Sequence, residues 1–145
     1  MGRGPDQKPD RLLDVAVRTS QEAATALGVQ VGQIAKSVVF RRRSDAAAVL
    51  IVTSGGRLVD EAKVAALLGD LARANADFIK QRTGFSIGGV APLAYLTAPV
   101  TLLDRELFRF GIIGAAAGHP NTVFQASPHQ LLALTGAPVA DVTEA

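Results

Sequence analysis

The alternation of apolar and polar residues predicts short strands and short helices that follow one another irregularly. Two runs rich in aliphatic residues, 33–43 and 46–53, predict neighbouring strands joined by a turn at Ser44 and Asp45. The strands come in runs and do not alternate strictly with helices, so we expect an α+β fold. Its sheet should be mixed and largely antiparallel, with helices packed against it. Further strands are predicted at 100–103, 112–117, 122–125 and 139–142.

Helix signals occupy the segments between these strands. Apolar residues at helical spacing predict a helix over 10–17, and Thr19 and Glu22 form a capping box that predicts a second, ending at Gly28. On this interpretation two helices precede the sheet. Three further helices are predicted: 61–68 with Asp60 as N-cap, 75–83, and one that starts at Ser127-Pro128 and ends at Gly136.

Length and composition indicate one domain built from small aliphatic residues. The 145 residues are 48% hydrophobic but only 5% aromatic. Residues 1–9 are mostly glycine, proline and charged residues. They are expected to form a flexible tail before a single domain at 10–145. The apolar stretches are far shorter than the roughly 20 residues of a membrane helix, and the N-terminus lacks a signal-like apolar core. We therefore expect a cytoplasmic protein with no membrane partner.

The chemistry available to this chain is limited. It has no cysteine, which excludes disulfides, thiolate catalysis and cysteine-bound metals, and its only imidazoles are His119 and His129. No ligand spacing supports a metal site, and no cofactor is predicted. Phosphate-loop, dinucleotide-binding and serine-elbow motifs are absent as well. An enzyme of this sequence would rely on positioning, backbone donors and an ordered water, without a covalent intermediate.

Lys36 is the residue least expected at its position, because it interrupts a run of buried-strand residues. A lysine ammonium is almost never fully buried without a partner. It therefore either faces a ligand at the mouth of the strand or extends to water, and spacing alone gives these interpretations equal weight. Gly84, Gly88, Gly89 and Gly118 lie in two distant loops, and each satisfies turn geometry or brings bare backbone to a ligand.

Other charged and polar residues also have two interpretations. His119 lies in a loop before a proline and is a candidate site residue, whereas His129 is expected on the surface. The run Arg41–Arg43 either contacts a phosphate backbone or protects a strand end from edge pairing. The net charge of +2 is too small to identify a nucleic-acid partner by itself.

Five segments occur in the order typical of one family. They are VGQIAKSVVF (31–40), VDEAK (59–63), TGFSIGGVAP (83–92), LLD (102–104) and AAAGHPN (115–121). Together they resemble the YbaK/EbsC family, the free-standing relatives of the editing domain inserted in bacterial prolyl-tRNA synthetases. The resemblance spans roughly residues 19–142.

The resemblance implies a compact α+β fold and hydrolysis in trans of the ester bond of mischarged aminoacyl-tRNA. Lys36 would hold the phosphate or carbonyl end of the aminoacyl-adenosine, and His119 would orient water or substrate. The Gly-His-Pro pattern favours a small amino acid other than cysteine. The substrate-binding residues that the resemblance implies are Ser37, Gly88, Gly89, Val90, Pro92, Gly118 and Pro120.

Three functions are therefore compared. The first is an aminoacyl-tRNA deacylase that needs no metal, with a synthetase or translation factor as a further candidate partner and an open oligomeric state. The second is a non-catalytic module that binds an aminoacyl-adenosine-like ligand or a protein partner. The third is a small-molecule esterase, which differs from the first because tRNA phosphate contacts would make activity fall steeply with salt.

Overall fold

The computed structural model describes residues 12–14, 20–83, 100–116 and 122–144. Eight strands and four α-helices alternate irregularly in this part of the chain. The strands are β1 (Leu12–Asp14), β2 (Ile34–Arg42), β3 (Ala48–Ser54), β4 (Leu71–Arg73), β5 (Val100–Asp104), β6 (Ile113–Ala116), β7 (Thr122–Ala126) and β8 (Val139–Ala140). The α-helices are α1 (Ser20–Leu27), α2 (Glu61–Leu68), α3 (Ala76–Thr83) and α4 (Pro128–Thr135), and 3-10 helices span Val31–Gln33 and Arg105–Arg109.

All eight strands form one mixed sheet. Its order is β1-β7-β6-β2-β3-β5-β8, and β4 pairs with β2 beside this path. The pairs β1/β7, β2/β3, β2/β4 and β6/β7 are antiparallel, whereas β2/β6, β3/β5 and β5/β8 are parallel. The predicted α+β architecture is confirmed.

Helices cover both faces of the sheet, and each covered face has its own core. The face that we call the α4 face packs Val39, Leu50 and Leu103 against Ile79 of α3 and Leu131 of α4. The other, the α2 face, packs strand residues against Val64 of α2; these are Phe40, Val49, Ile51 and Leu102. Because β3 lies between the two layers, every one of its residues is buried, as its unbroken apolar run predicts.

Helix α1 packs beside the start of β2. Its residues Ala23 and Ala24 form a small buried cluster with Ile34. Gly114 of β6 lies opposite Ile34, and a Cβ at Gly114 would stand only 2.9 Å from Cδ1 of Leu27. This glycine therefore allows α1 to approach the sheet closely.

The helix ends agree with the sequence signals more closely than the strands do. The Asp60 side chain accepts from the backbone N–H groups of α2, and Ser127 forms a capping box with Gln130 at the start of α4. Helix α4 ends at Gly136 in the left-handed conformation. The predicted N-cap Thr19 lies outside the described residues.

The structure corrects two predictions of secondary structure and adds elements that the sequence did not predict. The segment Leu12–Asp14 is a strand paired with β7, so the helix predicted over 10–17 is wrong there, and the sheet begins before α1. Strand β4, which pairs with β2, and the 3-10 helix Arg105–Arg109 were not predicted. The last strand covers only Val139–Ala140 of the predicted 139–142. Short strands form through pairing with distant residues, which local periodicity does not contain.

Candidate active site

Lys36 emerges from the α2 face between two helices. Its neighbours on the same face of β2 are Ile34, which packs under α1, and Val38, which packs against the core beneath α2. Both Ile34 and Phe40 are buried, whereas Lys36 is exposed. The strand thus presents one cation at a position that neither helix covers.

Lys36 lies in a row of polar residues across three strands. Thr53 of β3 is its direct partner, and the register Val52↔Leu103 places Asp104 of β5 next to Thr53. Thr53 is fully buried, and its hydroxyl donates to the backbone O of Lys36 at 3.4 Å. Among the residues that the structure describes, the Lys36 side chain has no hydrogen bond or ion pair. Its ammonium is therefore available to a ligand.

Asp104 fixes the end of the sheet on which this row lies. Its carboxylate accepts from the backbone N of Ser54 and of Glu106, both at 3.0 Å, and is completely buried. Ser54 also donates its hydroxyl to the backbone O of Gly32 at 2.5 Å. These bonds join β3, β5 and the segment before β2. In the sequence Asp104 stands out only as the last residue of the LLD motif, because a buried carboxylate with two backbone donors has no distinctive spacing.

Ser37 points to the opposite face of the sheet from Lys36. It pairs with Val52, whose side chain belongs to the α4-face core. Within the described part of the chain, the Ser37 hydroxyl is the buried side-chain polar atom without a hydrogen-bond partner. The two adjacent residues that the resemblance places in one site thus point to different sides of β2.

The remaining predicted site residues lie outside the described residues. His129, which was expected on the surface and not in the site, is exposed. Its ring lies edge-on to the ring of Phe108, with 5.2 Å between the ring centroids. The predicted residues that are not described are Gly88, Gly89, Val90, Pro92, Gly118, His119 and Pro120.

The run Arg41–Arg43 lies at the end of β2 away from Lys36, and two of its side chains are hydrogen-bonded within the protein. Arg42 binds both carboxylate oxygens of Asp45, at 3.0 and 2.8 Å, and this hydrogen bonding lowers the pKa of Asp45 to about 2. Arg43 donates to the backbone O of Leu71 at 3.1 Å. Since β4 pairs with β2 at Arg41 and Arg42, this end is interior to the sheet. Protection of a free edge is therefore the wrong interpretation of the run.

The described residues contain neither a cluster of metal ligands nor a membrane-spanning helix. No group of three or more histidine, aspartate or glutamate side chains there is arranged to hold a metal ion. Nor does that part of the chain contain a helix with the length and apolar character needed to cross a membrane.

Comparison with known proteins identifies the class to which this fold and site belong. The family model for the aminoacyl-tRNA editing domain matches residues 14–134, so the chain belongs to that family. The matched segment contains Lys36 and Asp104.

Individual relatives cover most of the chain. The uncharacterized protein YwhH of Bacillus subtilis (strain 168) is 34% identical over 120 residues, which are 82% of this chain and 76% of YwhH. A solved structure described as a candidate trans-editing enzyme for prolyl tRNA synthetase is 40% identical, with a TM-score of 0.86 over 92% of this chain and 86% of its own. The hypothetical protein APE2540 is 31% identical, with a TM-score of 0.85 over 93% and 91% of the two chains.

Proposed function

We propose that this protein hydrolyses, in trans, the ester bond of tRNA mischarged with a small amino acid. The observation that carries the proposal is the position of Lys36, an exposed cation without a partner among the described residues, on a strand face where Ile34 and Phe40 are buried and Val38 is half-buried. Membership of the editing-domain family and 40% identity to a candidate trans-editing enzyme support the same activity.

The chemistry requires little from the protein. An aminoacyl ester is already activated, so water can add to its carbonyl carbon once the developing oxyanion is stabilised. Collapse of that intermediate breaks the bond to the ribose oxygen, which takes up a proton, and releases the amino acid and the tRNA. The Lys36 ammonium would anchor the carbonyl or phosphate end of the substrate, and the neighbouring ribose hydroxyl would assist the attack. No protein nucleophile is needed.

Selection of the substrate would rest on exclusion. One methylene is worth only about 1–3 kcal/mol in an apolar pocket, so a synthetase discriminates poorly between small side chains. A second hydrolytic site that admits only the wrong side chain removes the resulting errors. By resemblance to the family, we assign to His119 the role of orienting water or substrate. We assign contacts with the substrate to Ser37 and to the two glycine-rich loops on the same basis. The working unit would be one domain, 10–145, acting in the cytoplasm beside a synthetase or translation factor.

A panel of charged tRNAs tests the activity. Wild-type protein and Lys36→Ala are incubated with tRNAs mischarged with Ala, Ser, Thr or Cys, and release of the amino acid is followed. Hydrolysis of one or two members, lost in the variant with its melting temperature unchanged, supports the proposal. Full activity in folded Lys36→Ala would reject Lys36 as the anchor. No hydrolysis by the wild type, together with tight binding of a non-hydrolysable aminoacyl-adenosine analogue, would establish the binding module instead.

A further inference from the structure

A group of charged side chains surrounds the end of the sheet that carries Lys36. Two of its cations hold the C-terminal segment in place. Lys63 donates to both oxygens of Asp141, at 3.0 and 3.1 Å, and to the backbone O of Thr143 at 2.9 Å. Arg57 donates to the hydroxyl of Thr143 at 3.0 Å and to the backbone O of Glu144 at 3.1 Å. The ammonium of Lys63 is therefore fully used, and Arg57 is held by two hydrogen bonds to the C-terminal segment.

The other two cations, Arg105 and Arg109, extend into solvent from the 3-10 helix that follows β5. Their side chains are 60% and 55% exposed. Arg105 reaches Glu106 at 3.6 Å and Asp141 at 3.4 Å, and Arg109 reaches Glu106 at 3.1 Å. Arg109 also donates to the backbone O of Glu106 at 3.3 Å. Ion pairs made by such exposed guanidinium groups contribute little, so both groups can turn to another anion.

Cations exceed carboxylates in this group by two, and the same excess remains when Lys36 and the buried Asp104 at this end of the sheet are counted as well. Because Glu106 and Asp141 are shared among several cations, they leave the surface positive. The hydrogen bond from Lys63 is the main cause that lowers the pKa of Asp141. This carboxylate is therefore negatively charged near neutral pH and counts as one of the two carboxylates of the group. The members are the cations Arg57, Lys63, Arg105 and Arg109 and the carboxylates Glu106 and Asp141.

The sheet register places Arg105 at the same end of the sheet as Lys36, and Arg109 lies at the end of the same 3-10 helix. Asp104 lies two strands from Lys36, which is about 10 Å, and Arg105 follows it directly. The Arg109 guanidinium lies over the ring of Phe110 at 5.0 Å. A Cβ at Gly32 would stand 3.0 Å from Cζ of Phe110, so that ring lies on the segment leading into β2. Arg42, in contrast, is six residues along β2, about 20 Å from Lys36.

We propose that Arg105 and Arg109 form a contact surface for the phosphate backbone of the tRNA whose aminoacyl end reaches Lys36. The inference rests on the proposed function for the identity of the polyanion. An RNA backbone fits better than an acidic protein for a physical reason. The surface adjoins the proposed anchor of the ester, and the ester is covalently attached to RNA. Exposed guanidinium groups bind phosphate oxygens without reading the base sequence.

Binding of uncharged tRNA at several salt concentrations tests this surface without requiring hydrolysis. Each lost phosphate contact should reduce the slope of log K against log salt by about one. We expect Arg105→Gln and Arg109→Gln each to weaken binding roughly five- to tenfold at about 0.1 M salt, with the double variant showing the combined loss. The matched control is Arg73→Gln with Lys80→Gln, which removes two exposed cations from β4 and α3. It should leave the slope unchanged.

Glu106→Gln provides a second test of opposite sign. This change removes a negative charge beside both arginines, while the backbone N–H of residue 106 still donates to Asp104. A tRNA-binding surface predicts tighter binding and a steeper salt slope. If the charges serve only to hold the fold together, the variant will melt earlier and bind tRNA no better, which overturns the proposal.

The remaining outcomes separate this surface from the proposed activity. Unchanged affinity and slope in the Arg105/Arg109 double variant would overturn the surface, as would a larger loss in Arg41→Gln. Absence of tRNA binding by the wild type, or equal preference for an acidic polypeptide, would also overturn it. Failure of the deacylase proposal has a different signature: normal salt-dependent binding of tRNA with no release of amino acid from any charged tRNA.

Discussion

The two ends of strand β2 carry cations that differ in their hydrogen bonding. At the C-terminal end, Arg42 is bound to Asp45 through two hydrogen bonds, and Arg43 donates to the backbone O of Leu71. At the N-terminal end, Lys36 is exposed and has no side-chain partner among the described residues. In the run Arg41–Arg43, two arginines thus stabilise a turn and a short strand. The single lysine at the other end of β2, Lys36, remains available to a ligand.

This difference shows that the number of cations in a segment is a poor guide to its function. A guanidinium whose donors are used by a carboxylate and by backbone oxygens contributes to the fold and has less to offer a ligand. An ammonium kept at the surface of a buried strand, above a fully buried threonine, has no comparable structural role. The lysine is therefore the better candidate for substrate contact.

Exchanging each cation for alanine is the strongest test of this contrast. Lys36→Ala should lower kcat/KM for deacylation by about 10²–10³-fold, since it removes a donor to the reacting group, and should leave the melting temperature unchanged. Arg42→Ala should lower the melting temperature and leave kcat/KM of the folded protein unchanged. The measurements are single-turnover hydrolysis and thermal unfolding of both variants. Equal loss of activity in the two variants would contradict the distinction between the two ends.

The second prediction concerns the buried carboxylate at the Lys36 end. Asp104→Asn should reduce the free energy of unfolding by about 1–3 kcal/mol, because the amide can accept from only one of the two backbone N–H groups of Ser54 and Glu106. Asp70→Asn is the matched control, since Asp70 is exposed. Chemical denaturation measures both. If Asp104→Asn unfolds at the same denaturant concentration as the wild type, Asp104 does not fix this end of the sheet.

Much of the fold follows from local signals, and the exceptions share a physical cause. Asp60, Ser127 and Gly136 mark helix ends as predicted, because capping depends on residues close in sequence. Strand β1, in contrast, exists through pairing with β7, more than a hundred residues away. Its few apolar residues also fit a helical period. Local pattern therefore could not choose between a helix and an edge strand.

The site was only partly predictable for a related reason. Lys36 is conspicuous because a charge in a buried run conflicts with its surroundings, whereas Asp104 conflicts with nothing visible in the sequence. Its importance comes from two backbone donors brought together by β3 and β5. The interpretation of Arg41–Arg43 as edge protection failed because β4, which covers that end of β2, was not predicted.

The third prediction separates Ser37 from its neighbour Lys36. Ser37→Ala should leave stability unchanged or raise it slightly, because the variant no longer buries a hydroxyl without a partner. If that hydroxyl binds substrate, kcat/KM should fall by about 2–10-fold, which corresponds to one neutral hydrogen bond. Ser44→Ala, in the exposed turn after β2, is the control for both readouts. Unchanged kcat/KM would remove Ser37 from the site and leave it as a residue of the α4-face core.

The smallest expected effect tests the Arg42 end through its pH dependence. Hydrogen bonds from Arg42 lower the pKa of Asp45 from 3.8 to about 2 in the folded protein. A carboxyl group with a depressed folded pKa stabilises the fold above its unfolded pKa and loses that contribution as pH falls through the folded value. The difference in melting temperature between wild type and Asp45→Asn should therefore be constant above about pH 5 and shrink between about pH 4 and 2. Because Asp45 is exposed and Arg42 is only partly buried, about 1 M salt should reduce the difference at neutral pH as well. A difference that does not change with pH would contradict this assignment, because the two hydrogen-bonding partners of the Asp45 carboxylate, the Arg42 guanidinium and the backbone N of Ala47, both lower its pKa.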